Sequence, residues 1–322
     1  MLILGDALTE LKKLDSELVD CIITSPPYWA LRDYKVKGQI GQEKTIDEYV
    51  NKLVEIFNEC KRVLKKEGTC WIVLGDTYAG QGGTYSNPSK KLSQEHKDNM
   101  MGGLRIKNTQ KIQGIQDKSL CMIPERFAIK MIDNGWILRN KIIWYKPNCM
   151  PSSATDRFTV DFEYIYFFVK SKRYYFKTQY EELSRPPQKY YPSKTVVDNV
   201  DKYNNGMWSR TIKGHAQNPN RLWGSEQGRI KRTVWKIPPK PFPEAHFAVF
   251  PEELVKQCLD AGCPEQGTVL DPFSGAGTTA LIALKNNRQY IGIELNKDYI
   301  EISNKRLKPY LEQKTLTSLF SE

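Results

Sequence analysis

Short apolar runs and amphipathic stretches alternate along the first third of the chain. "MLIL", "VDCIITS" and "TCWIVLGD" are apolar runs of strand length, and "ALTELKKL" and a longer amphipathic stretch lie between them. The longer stretch predicts a helix: Thr45 and Glu48 form a capping box, apolar residues recur at helical spacing from Ile46 to Leu64, and Gly68 ends it. This alternation is typical of a parallel sheet covered by helices.

The end of the chain repeats the alternation. "PEELVKQCLDAG", "TTALIALKNN" and "KDYIEISNKRLKPYL" predict helices, whereas "GTVLD" and "QYIGIEL" predict buried strands. Nearer the middle, "IPERFAIKMIDNG" predicts a helix, and "WILRNKIIWYKPN" and "DFEYIYFFVKS" predict strands. Both ends of the chain are therefore expected to contribute to one α/β sheet.

Two segments lack this regularity. Residues 77–118 are rich in Gly, Ser, Asn and Lys with little periodicity, and they predict a mobile excursion. Residues 171–236 contain too many Pro, Gly and Asn residues for long helices. We interpret them as an insertion between two halves of the sheet, at 1–170 and 237–322.

Positive charge is concentrated in this insertion. The chain has 48 Lys and Arg against 37 Asp and Glu, a net charge of +11, and 15 basic residues against 5 acidic ones lie between Lys170 and Lys236. Aromatic rings are interleaved with the basic residues, and this combination favours a nucleic-acid partner over a membrane. Such rings also form protein cores, and a basic surface can serve solubility alone. The rings are Tyr174, Tyr175, Phe176, Tyr180, Tyr190, Tyr191, Tyr203, Trp208, Trp223 and Trp235.

Cysteine usage and hydropathy indicate the cellular compartment of the protein. The seven cysteines form no CxxC pair and several lie in apolar runs, so we expect reduced, buried thiols and no metal site. "MLILGDALTELKKLD" lacks a basic leader, and no segment approaches the roughly 20 apolar residues needed to span a bilayer. These features predict a soluble, cytoplasmic protein without a membrane partner.

The stretch "VLDPFSGAGTTALIAL" places Gly275 and Gly277 between a predicted strand and a predicted helix. Glycine lets a ligand approach the backbone, and the amides that open the helix attract negative or polar groups. No Lys follows the glycines, and Ala280 breaks the dinucleotide pattern G-x-G-x-x-G. Glu294 ends the next strand, 23 residues after Asp271, near the interval at which an acidic group reaches ribose hydroxyls. The pattern indicates a nucleoside-containing ligand without a pyrophosphate, although a tight structural turn also explains the glycines.

The stretch "TSPPYW" follows the predicted strand "VDCII". Proline has no N–H and holds the preceding residue extended, so Ser25, Pro26 and Pro27 form a stiff loop whose carbonyls lack local donors. With the Ser25 hydroxyl, the loop can accept both hydrogens of a flat –NH2 group, and Tyr28 offers a ring for stacking. Standing alone the loop has an ordinary structural explanation, but its chemistry suits a nucleobase amine.

Taken together, "SPPY", "DPFSGAGTT" and "GIEL" resemble the S-adenosylmethionine-dependent DNA amino-methyltransferases of restriction-modification systems. "LGDAL", "IIWYKPN", "FEYIYFFVKS" and "HFAVFPEEL" resemble further family segments. The resemblance implies that Ser25, Pro26, Pro27 and Tyr28 present the target amine. It implies that S-adenosyl-L-methionine is held by Asp6, Phe250, Pro251, Asp271, Phe273, Ser274, Gly275, Gly277, Thr278 and Glu294.

The order of these segments is that of the family's beta group, in which the catalytic loop comes first and the cofactor loop last. The resemblance therefore implies a doubly wound, mostly parallel, seven-stranded Rossmann-like sheet that is circularly permuted and carries an inserted target-recognition region. Residues 1–170 are then the catalytic half, 171–236 the target-recognition region, and 237–322 the cofactor-binding half.

The resemblance also implies the reaction, which is transfer of a methyl group to the exocyclic amine of a base flipped out of double-stranded DNA. Serine at the first loop position favours cytosine N4, and adenine N6 is the alternative. A cognate restriction endonuclease acting on the same site is a further partner that such systems imply. The residues expected to engage DNA are Lys172, Arg173, Arg210, Arg221, Arg229, Lys231 and Arg232.

Other readings fit less well. A 5-methylcytosine enzyme needs a thiolate on a Pro-Cys motif, which Cys149 in "KPNCMP" and Cys263 in "AGCPE" do not supply. Glutamine and RNA amino-methyltransferases with similar loops place the cofactor turn before the catalytic loop. From a different class, a non-catalytic DNA-binding protein that keeps the fold remains the alternative.

Overall fold

The computed structural model describes residues 1–31, 34, 36–80, 114–152, 154–183, 188–189, 222–223, 227–239 and 250–319. The chain forms two compact units, one made of Met1–Lys177 with Thr233–Glu322 and the other of Thr178–Arg232.

The described elements are as follows. The strands are β1 (Leu2–Leu4), β2 (Val19–Thr24), β3 (Leu64–Leu74), β4 (Ile137–Tyr145), β5 (Phe162–Val169), β6 (Tyr180–Glu181), β7 (Gln188–Lys189), β8 (Leu222–Trp223), β9 (Arg229–Ile230), β10 (Val234–Lys236), β11 (Thr268–Asp271) and β12 (Gln289–Glu294). The helices are α1 (Ala7–Lys13), α2 (Ile46–Val63), α3 (Ile123–Asp133), α4 (Glu252–Gly262), α5 (Thr278–Lys285) and α6 (Lys297–Leu319).

The larger unit is built on one mostly parallel sheet, which confirms the predicted α/β class. Its strand order is β1-β12-β11-β2-β3-β5-β4-β10. The first five strands in this order run parallel, whereas β5 is antiparallel to both β3 and β4. Strands from the two ends of the chain therefore alternate in one sheet, as the sequence predicts. The carboxyl ends of β1, β2, β11 and β12 meet at one edge.

The structure adds an eighth strand to the seven that the resemblance implies. β10 comes from the end of the basic insertion and pairs in parallel with β4, Trp235 opposite Trp144. The indole N–H of Trp144 donates to the carbonyl of Ile237 at 2.8 Å, which holds the added strand in place. A three-residue strand is too short to show an alternating pattern in the sequence.

Helix α2 has the predicted capping box at Thr45 and Glu48, but the prediction that it continues to Gly68 is wrong. The helix ends at Val63 because Leu64 already pairs with Val19 of β2. The next three residues are exposed, and pairing resumes where Thr69 lies opposite Cys21. Val63 and Leu64 are both fully buried, so apolar spacing alone does not show where the helix stops.

Apolar side chains cover both faces of the sheet, which makes it doubly wound. On β2, Ile22 packs in the cluster formed with α1, α2 and α3, whereas Cys21 and Ile23 pack in the cluster that contains α4. The rings of Trp71 and Phe167 stack on the latter face with centroids 4.1 Å apart. All seven cysteines are free thiols, and every one except the half-buried Cys149 is buried, as expected.

The predicted excursion at 77–118 is described only at its ends. Ala79 N–H donates to the carbonyl of Ser119 at 2.8 Å, and Lys118 N–H donates to the carbonyl of Ala79 at 2.9 Å. The two ends of this segment are therefore hydrogen-bonded to each other. Residues 81–113 and the prediction of their mobility lie outside the described residues.

In its described part, the smaller unit contains two short antiparallel pairs, β6 with β9 and β7 with β8. The Glu181 carboxylate accepts hydrogen bonds from Nε of Arg229 and of Arg232, each at 2.6 Å. None of the helices in the described part of the chain is long and apolar enough to cross a membrane.

Candidate active site

The loops that follow β1, β2, β11 and β12 enclose a cavity of about 300 Å³. Sheet edges of this kind, where parallel strands end, are the usual place for ligands in open α/β folds. Most of the predicted site residues line it. They are Asp6, Ser25, Pro26, Pro27, Tyr28, Phe250, Phe273, Ser274, Gly275, Thr278 and Glu294.

The SPPY corner (Ser25–Tyr28) begins where β2 ends. Tyr49, a buried residue of α2, donates from its hydroxyl to the carbonyl of Pro27 at 2.7 Å. The Pro27 carbonyl thus accepts from a donor 22 residues away along the chain, because α2 packs beneath the loop. Gly41 supports the corner from the other side: its φ is +101°, and a Cβ there would lie 2.8 Å from the carbonyl oxygen of Tyr28. Only glycine fits this close approach.

Tyr28 is held by its hydroxyl, which donates to Glu163 Oε2 on β5 at 2.6 Å. Glu163 also forms an ion pair with Lys146, whose ammonium lies 4.2 Å from the centre of the Trp144 ring. Burial, followed by the charge of Glu163, raises the pKa of Tyr28 well above its usual value. Tyr28 is therefore a neutral hydroxyl under ordinary conditions.

Trp144, Lys146 and Glu163 line the cavity although no predicted role was attached to them. They lie in "IIWYKPN" and "FEYIYFFVKS", two segments that carry the family resemblance. That resemblance is the signal by which they could have been found, because an acidic and a basic residue at strand ends look ordinary in isolation.

Asp271 does not line the cavity, contrary to the role implied by the resemblance. Its carboxylate is 1% exposed and faces the protein interior. One oxygen accepts from the Thr24 hydroxyl at 2.6 Å and from Phe273 N–H at 3.1 Å, and the other accepts from the Thr279 hydroxyl at 2.7 Å. Burial raises its pKa to about 6.

This carboxylate joins two distant parts of the chain. Thr24 immediately precedes the SPPY corner and lies 247 residues from Asp271, which opens the glycine turn (residues 271–277). Both parts then line one cavity. Asp271 therefore fixes the relative position of the corner and the turn.

Gly275 and Gly277 both have positive φ, +50° and +75°. The Gly275 N–H donates to Glu294 Oε2 at 2.8 Å, which ties the turn to the end of β12. Gly277 does not line the cavity: a Cβ there would lie 2.8 Å from the Ser303 hydroxyl on α6, so this glycine permits helix packing. Pro251 also lies outside the lining and caps α4.

Polar groups of the cavity wall fit a nucleoside ligand. Glu294 keeps a carboxylate at the wall, with Oε1 accepting from Asn296 N–H at 2.9 Å, and burial raises its pKa. The Ser274 hydroxyl is buried and has no hydrogen-bond partner among the described residues. Asp6 caps α1 by accepting from Thr9 N–H at 2.9 Å while still lining the cavity.

The predicted DNA-binding residues belong to both units, and two of them lie outside the described residues. Lys172 and Arg173 are exposed, but they follow β5, which runs antiparallel, so they lie at the sheet edge opposite the cavity. Arg229 and Arg232 pair with Glu181, and Lys231 N–H donates to the carbonyl of Gln179 at 2.9 Å. Arg210 and Arg221 lie outside the described residues.

A family model described as DNA methylase, of the N6/N4 type, matches residues 19–305. This span contains the SPPY corner, the glycine turn and Glu294. The chain belongs to the N6/N4 DNA methylase family. Membership confirms the resemblance drawn from the motifs, and it confirms S-adenosyl-L-methionine as the methyl donor.

Relatives within the family match over nearly the whole chain. The type II methyltransferase M.SmaI of Serratia marcescens is 36% identical over 306 residues, which cover 95% of this chain and 90% of the relative. The type II methyltransferase M.Cfr9I of Citrobacter freundii is 38% identical over 304 residues, covering 94% and 86%.

Solved DNA methylases share the fold. The PvuII DNA methyltransferase (cytosine-N4-specific) superposes with a TM-score of 0.61 at 18% identity, covering 95% of this chain and 85% of that one. A putative DNA modification methylase from Thermus thermophilus, solved in complex with S-adenosyl-L-methionine, gives a TM-score of 0.55 at 20% identity, covering 96% and 93%. The fold expected of this DNA methylase family member is thus confirmed.

Proposed function

We propose that this DNA methyltransferase modifies a specific site in double-stranded DNA by moving a methyl group from S-adenosyl-L-methionine to the N4 amine of a flipped cytosine. The observation that carries the proposal is that the SPPY corner and the glycine turn with Glu294 line one cavity. Reacting groups must meet in one place for a direct transfer, because proximity and orientation supply much of the rate enhancement.

The turn side of the cavity suits the methyl donor. We assign the hydrogen bonds from the ribose hydroxyls to Glu294, which ends β12. The unpartnered Ser274 hydroxyl offers a buried hydrogen-bonding group, and Phe250 and Phe273 supply apolar wall. When bound, the cofactor supplies an electrophilic methyl group on a sulfonium.

The corner side suits an amine. The Ser25 hydroxyl and the Pro26 carbonyl are the acceptors we assign to the two N–H bonds, since the Pro27 carbonyl already accepts from Tyr49. Two acceptors pull the nitrogen towards tetrahedral geometry and localise its lone pair for attack. Ser25 need not be a strong base, because an exocyclic amine that has just been alkylated loses its extra proton readily.

The choice of cytosine rests on Ser25, because serine at the first loop position is associated in the family with cytosine N4. The PvuII enzyme, which shares the fold, is named as cytosine-N4-specific. Adenine N6 is the second candidate, since the same corner would accept from that amine as well.

DNA binding and a partner nuclease complete the proposal. We assign DNA reading to the inserted region, which carries most of the excess positive charge. The relatives M.SmaI and M.Cfr9I are named as type II methyltransferases, which supports a cognate restriction endonuclease that acts on the same site.

One experiment tests the reaction and the base together. Mixed-sequence DNA is incubated with the enzyme and methyl-labelled S-adenosyl-L-methionine, digested to nucleosides and analysed, and sequencing of modified positions gives the site. We expect N4-methylcytosine. N6-methyladenine would select the second candidate, and 5-methylcytosine would refute transfer to an amine.

A calorimetric titration with S-adenosyl-L-methionine separates the enzyme from a non-catalytic DNA-binding protein of the same fold. The enzyme is expected to bind the cofactor in the absence of DNA. A chain that binds DNA without binding the cofactor would favour the non-catalytic alternative.

A further inference from the structure

Tyr28 is fixed at three places within the SPPY corner. Its hydroxyl donates to Glu163 Oε2 at 2.6 Å. One edge of its ring lies against Gly75, the residue that follows β3. Its backbone carbonyl is approached closely by Gly41. Tyr28 and Glu163 both line the cavity, so the ring occupies a fixed place at the cavity wall.

Gly75 leaves the space that one edge of the Tyr28 ring occupies. A Cβ at this position would lie 2.7 Å from Cε2 and 3.2 Å from Cδ2 of Tyr28, and 3.4 Å from Cδ of Glu163. A contact of 2.7 Å between carbon atoms is too short, so any larger residue would push the ring out of its place. The φ of Gly75 lies outside the left-handed region, so alanine at this position strains the contact with the ring and not the backbone.

Glu163 is itself held in place by the sheet and by an ion pair. It lies on β5 opposite Trp144 of β4, and its Oε1 accepts from the ammonium of Lys146. The same ammonium lies 4.2 Å from the centre of the Trp144 ring. The side chains of Glu163 and Lys146 are only 20% and 18% exposed. The carboxylate that accepts from Tyr28 therefore has a defined position.

We propose that Glu163 and Gly75 are positioning residues, which hold the Tyr28 ring at one angle so that it presents a fixed stacking face to the target base. The inference rests on the proposed function, because it concerns the base that the corner receives. A ring that is already ordered stacks on a flat base without a further loss of conformational entropy. It also fixes the orientation of the base, and therefore the direction in which the amine points during transfer.

Substitutions at Glu163 separate its hydrogen bond from its charge. Glu163→Ala removes the contact with Tyr28 and should lower the single-turnover rate of methyl transfer about tenfold. Glu163→Gln removes the charge but keeps a hydrogen bond to Tyr28, because a tyrosine hydroxyl both donates and accepts. Its rate should stay within about threefold of that of the wild type.

Tyr28→Phe removes the same contact from the other side. It keeps the ring but loses the hydroxyl, so its rate should fall about as far as that of Glu163→Ala. Combining Tyr28→Phe with Glu163→Ala should lower the rate no further, because the two substitutions remove one shared interaction.

Gly75→Ala tests the packing of the ring without removing a polar group. The added methyl group displaces the ring edge, so the rate should fall about tenfold. The matched control is Gly267→Ala. The φ of Gly267 also lies outside the left-handed region, and a Cβ there would lie 2.9 Å from the Pro264 carbonyl oxygen, but this glycine is outside the cavity lining. Its rate should equal that of the wild type.

Rapid-quench assays at saturating DNA and S-adenosyl-L-methionine measure the single-turnover rates, and calorimetry measures the affinity for the cofactor. This affinity should stay within about twofold in every variant, because none of the substituted residues belongs to the glycine turn. A wild-type rate in either Glu163→Ala or Gly75→Ala would overturn the inference and leave the proposed function standing.

The rate of Glu163→Gln decides what Glu163 supplies. If it is as slow as Glu163→Ala, the charge of Glu163 matters rather than its contact with Tyr28, and the inference is overturned. A wild type that methylates no amine would overturn the proposed function, and the inference with it.

Discussion

At the scale of single residues, three carboxylates join the segments that form the site. Asp271 ties the end of β2 to the glycine turn, Glu294 accepts from Gly275 N–H, and Glu163 anchors Tyr28. Each joins segments that are distant along the chain, 247 residues apart in the case of Thr24 and Asp271. Single substitutions at these positions can therefore alter the geometry between corner and turn without removing a reacting group.

Ser25→Ala tests whether the Ser25 hydroxyl accepts a hydrogen bond from the target amine. Loss of one hydrogen bond that strengthens in the transition state should lower kcat by about 100-fold, whereas the affinity for S-adenosyl-L-methionine should stay within about twofold. Calorimetry and a methyl-transfer assay measure the two quantities. Ser16→Ala, on the surface beside Arg62, is the matched control and should change neither. A parallel fall in cofactor affinity in Ser25→Ala would indicate a disturbed fold instead.

Asp271→Asn tests whether the pKa of the buried carboxylate is raised, through the pH dependence of the free energy of unfolding. Burial raises the pKa of Asp271 from about 3.8 to about 6, so the folded protein holds this proton more tightly than the unfolded chain. The contribution of Asp271 to the free energy of unfolding therefore decreases as the pH rises from about 4 to about 6. Asparagine does not titrate, and Thr279 can donate to the Ile23 carbonyl in place of the lost acceptor.

The stability of Asp271→Asn relative to the wild type should accordingly increase with pH, by up to about 3 kcal/mol between pH 4 and 7. Urea denaturation at a series of pH values measures the difference. A difference that is the same at both ends of this range would contradict a raised pKa at Asp271.

The sequence predicts which residues form the site, but it does not predict all of their hydrogen-bond partners. The type and spacing of Ser25, the prolines and Glu294 are sufficient to place them in a site. The motif predicts a cofactor role for Asp271 but not its hydrogen bond to Thr24, because a motif does not show which way a carboxylate points. Glu163 lies 135 residues from its partner Tyr28, and a pairing at that distance has no signature in a single sequence.

At the scale of elements, α2 forms the support of the SPPY corner. It is the longest of the helices that pack on that side, with nine buried residues, and its Tyr49 reaches the Pro27 carbonyl. Amphipathic spacing and the capping box predict this helix, because both are local signals. Its end is not predicted, since it depends on the pairing of Leu64 with Val19, a contact between separate strands.

Tyr49→Phe tests whether α2 orders the corner. The substitution removes one buried hydrogen bond and should cost about 1 kcal/mol of unfolding free energy, and the freed Pro27 carbonyl should lower kcat by about fivefold or more. Cys60→Ala is the matched control, because it trims a fully buried side chain in the last turn of α2, away from Tyr49, at a similar cost in stability. Its kcat should be unchanged. Equal effects on kcat would mean that only the stability of α2 matters.

At the scale of the whole molecule, the excess positive charge and the residues that line the cavity lie in different regions of the chain. The basic insertion lies between β5 and β11 along the chain, and the residues outside 170–236 carry 33 Lys and Arg against 32 Asp and Glu. The order of the segments along the chain predicts this arrangement. What the sequence does not show is the direction of β5, which carries Lys172 and Arg173 to the edge away from the cavity.

The salt dependence of DNA binding distinguishes the two groups of basic residues. Each phosphate contact releases counterions, so removing one contact lowers the slope of log Kd against log salt concentration by about one unit. We expect Arg210→Ala with Arg221→Ala, in the insertion, to lower this slope by about two units. Lys172→Ala with Arg173→Ala removes the same charge from the edge opposite the cavity and should leave the slope unchanged.

Fluorescence anisotropy with a labelled duplex at several salt concentrations measures both slopes. The two double variants carry the same change in net charge, so a general electrostatic effect would lower both slopes equally. Only direct contact by Arg210 and Arg221 predicts a fall confined to their variant. Equal slopes would remove the assignment of DNA contact to Arg210 and Arg221, while a fall confined to the Lys172 and Arg173 variant would mean that DNA crosses the opposite edge of the sheet.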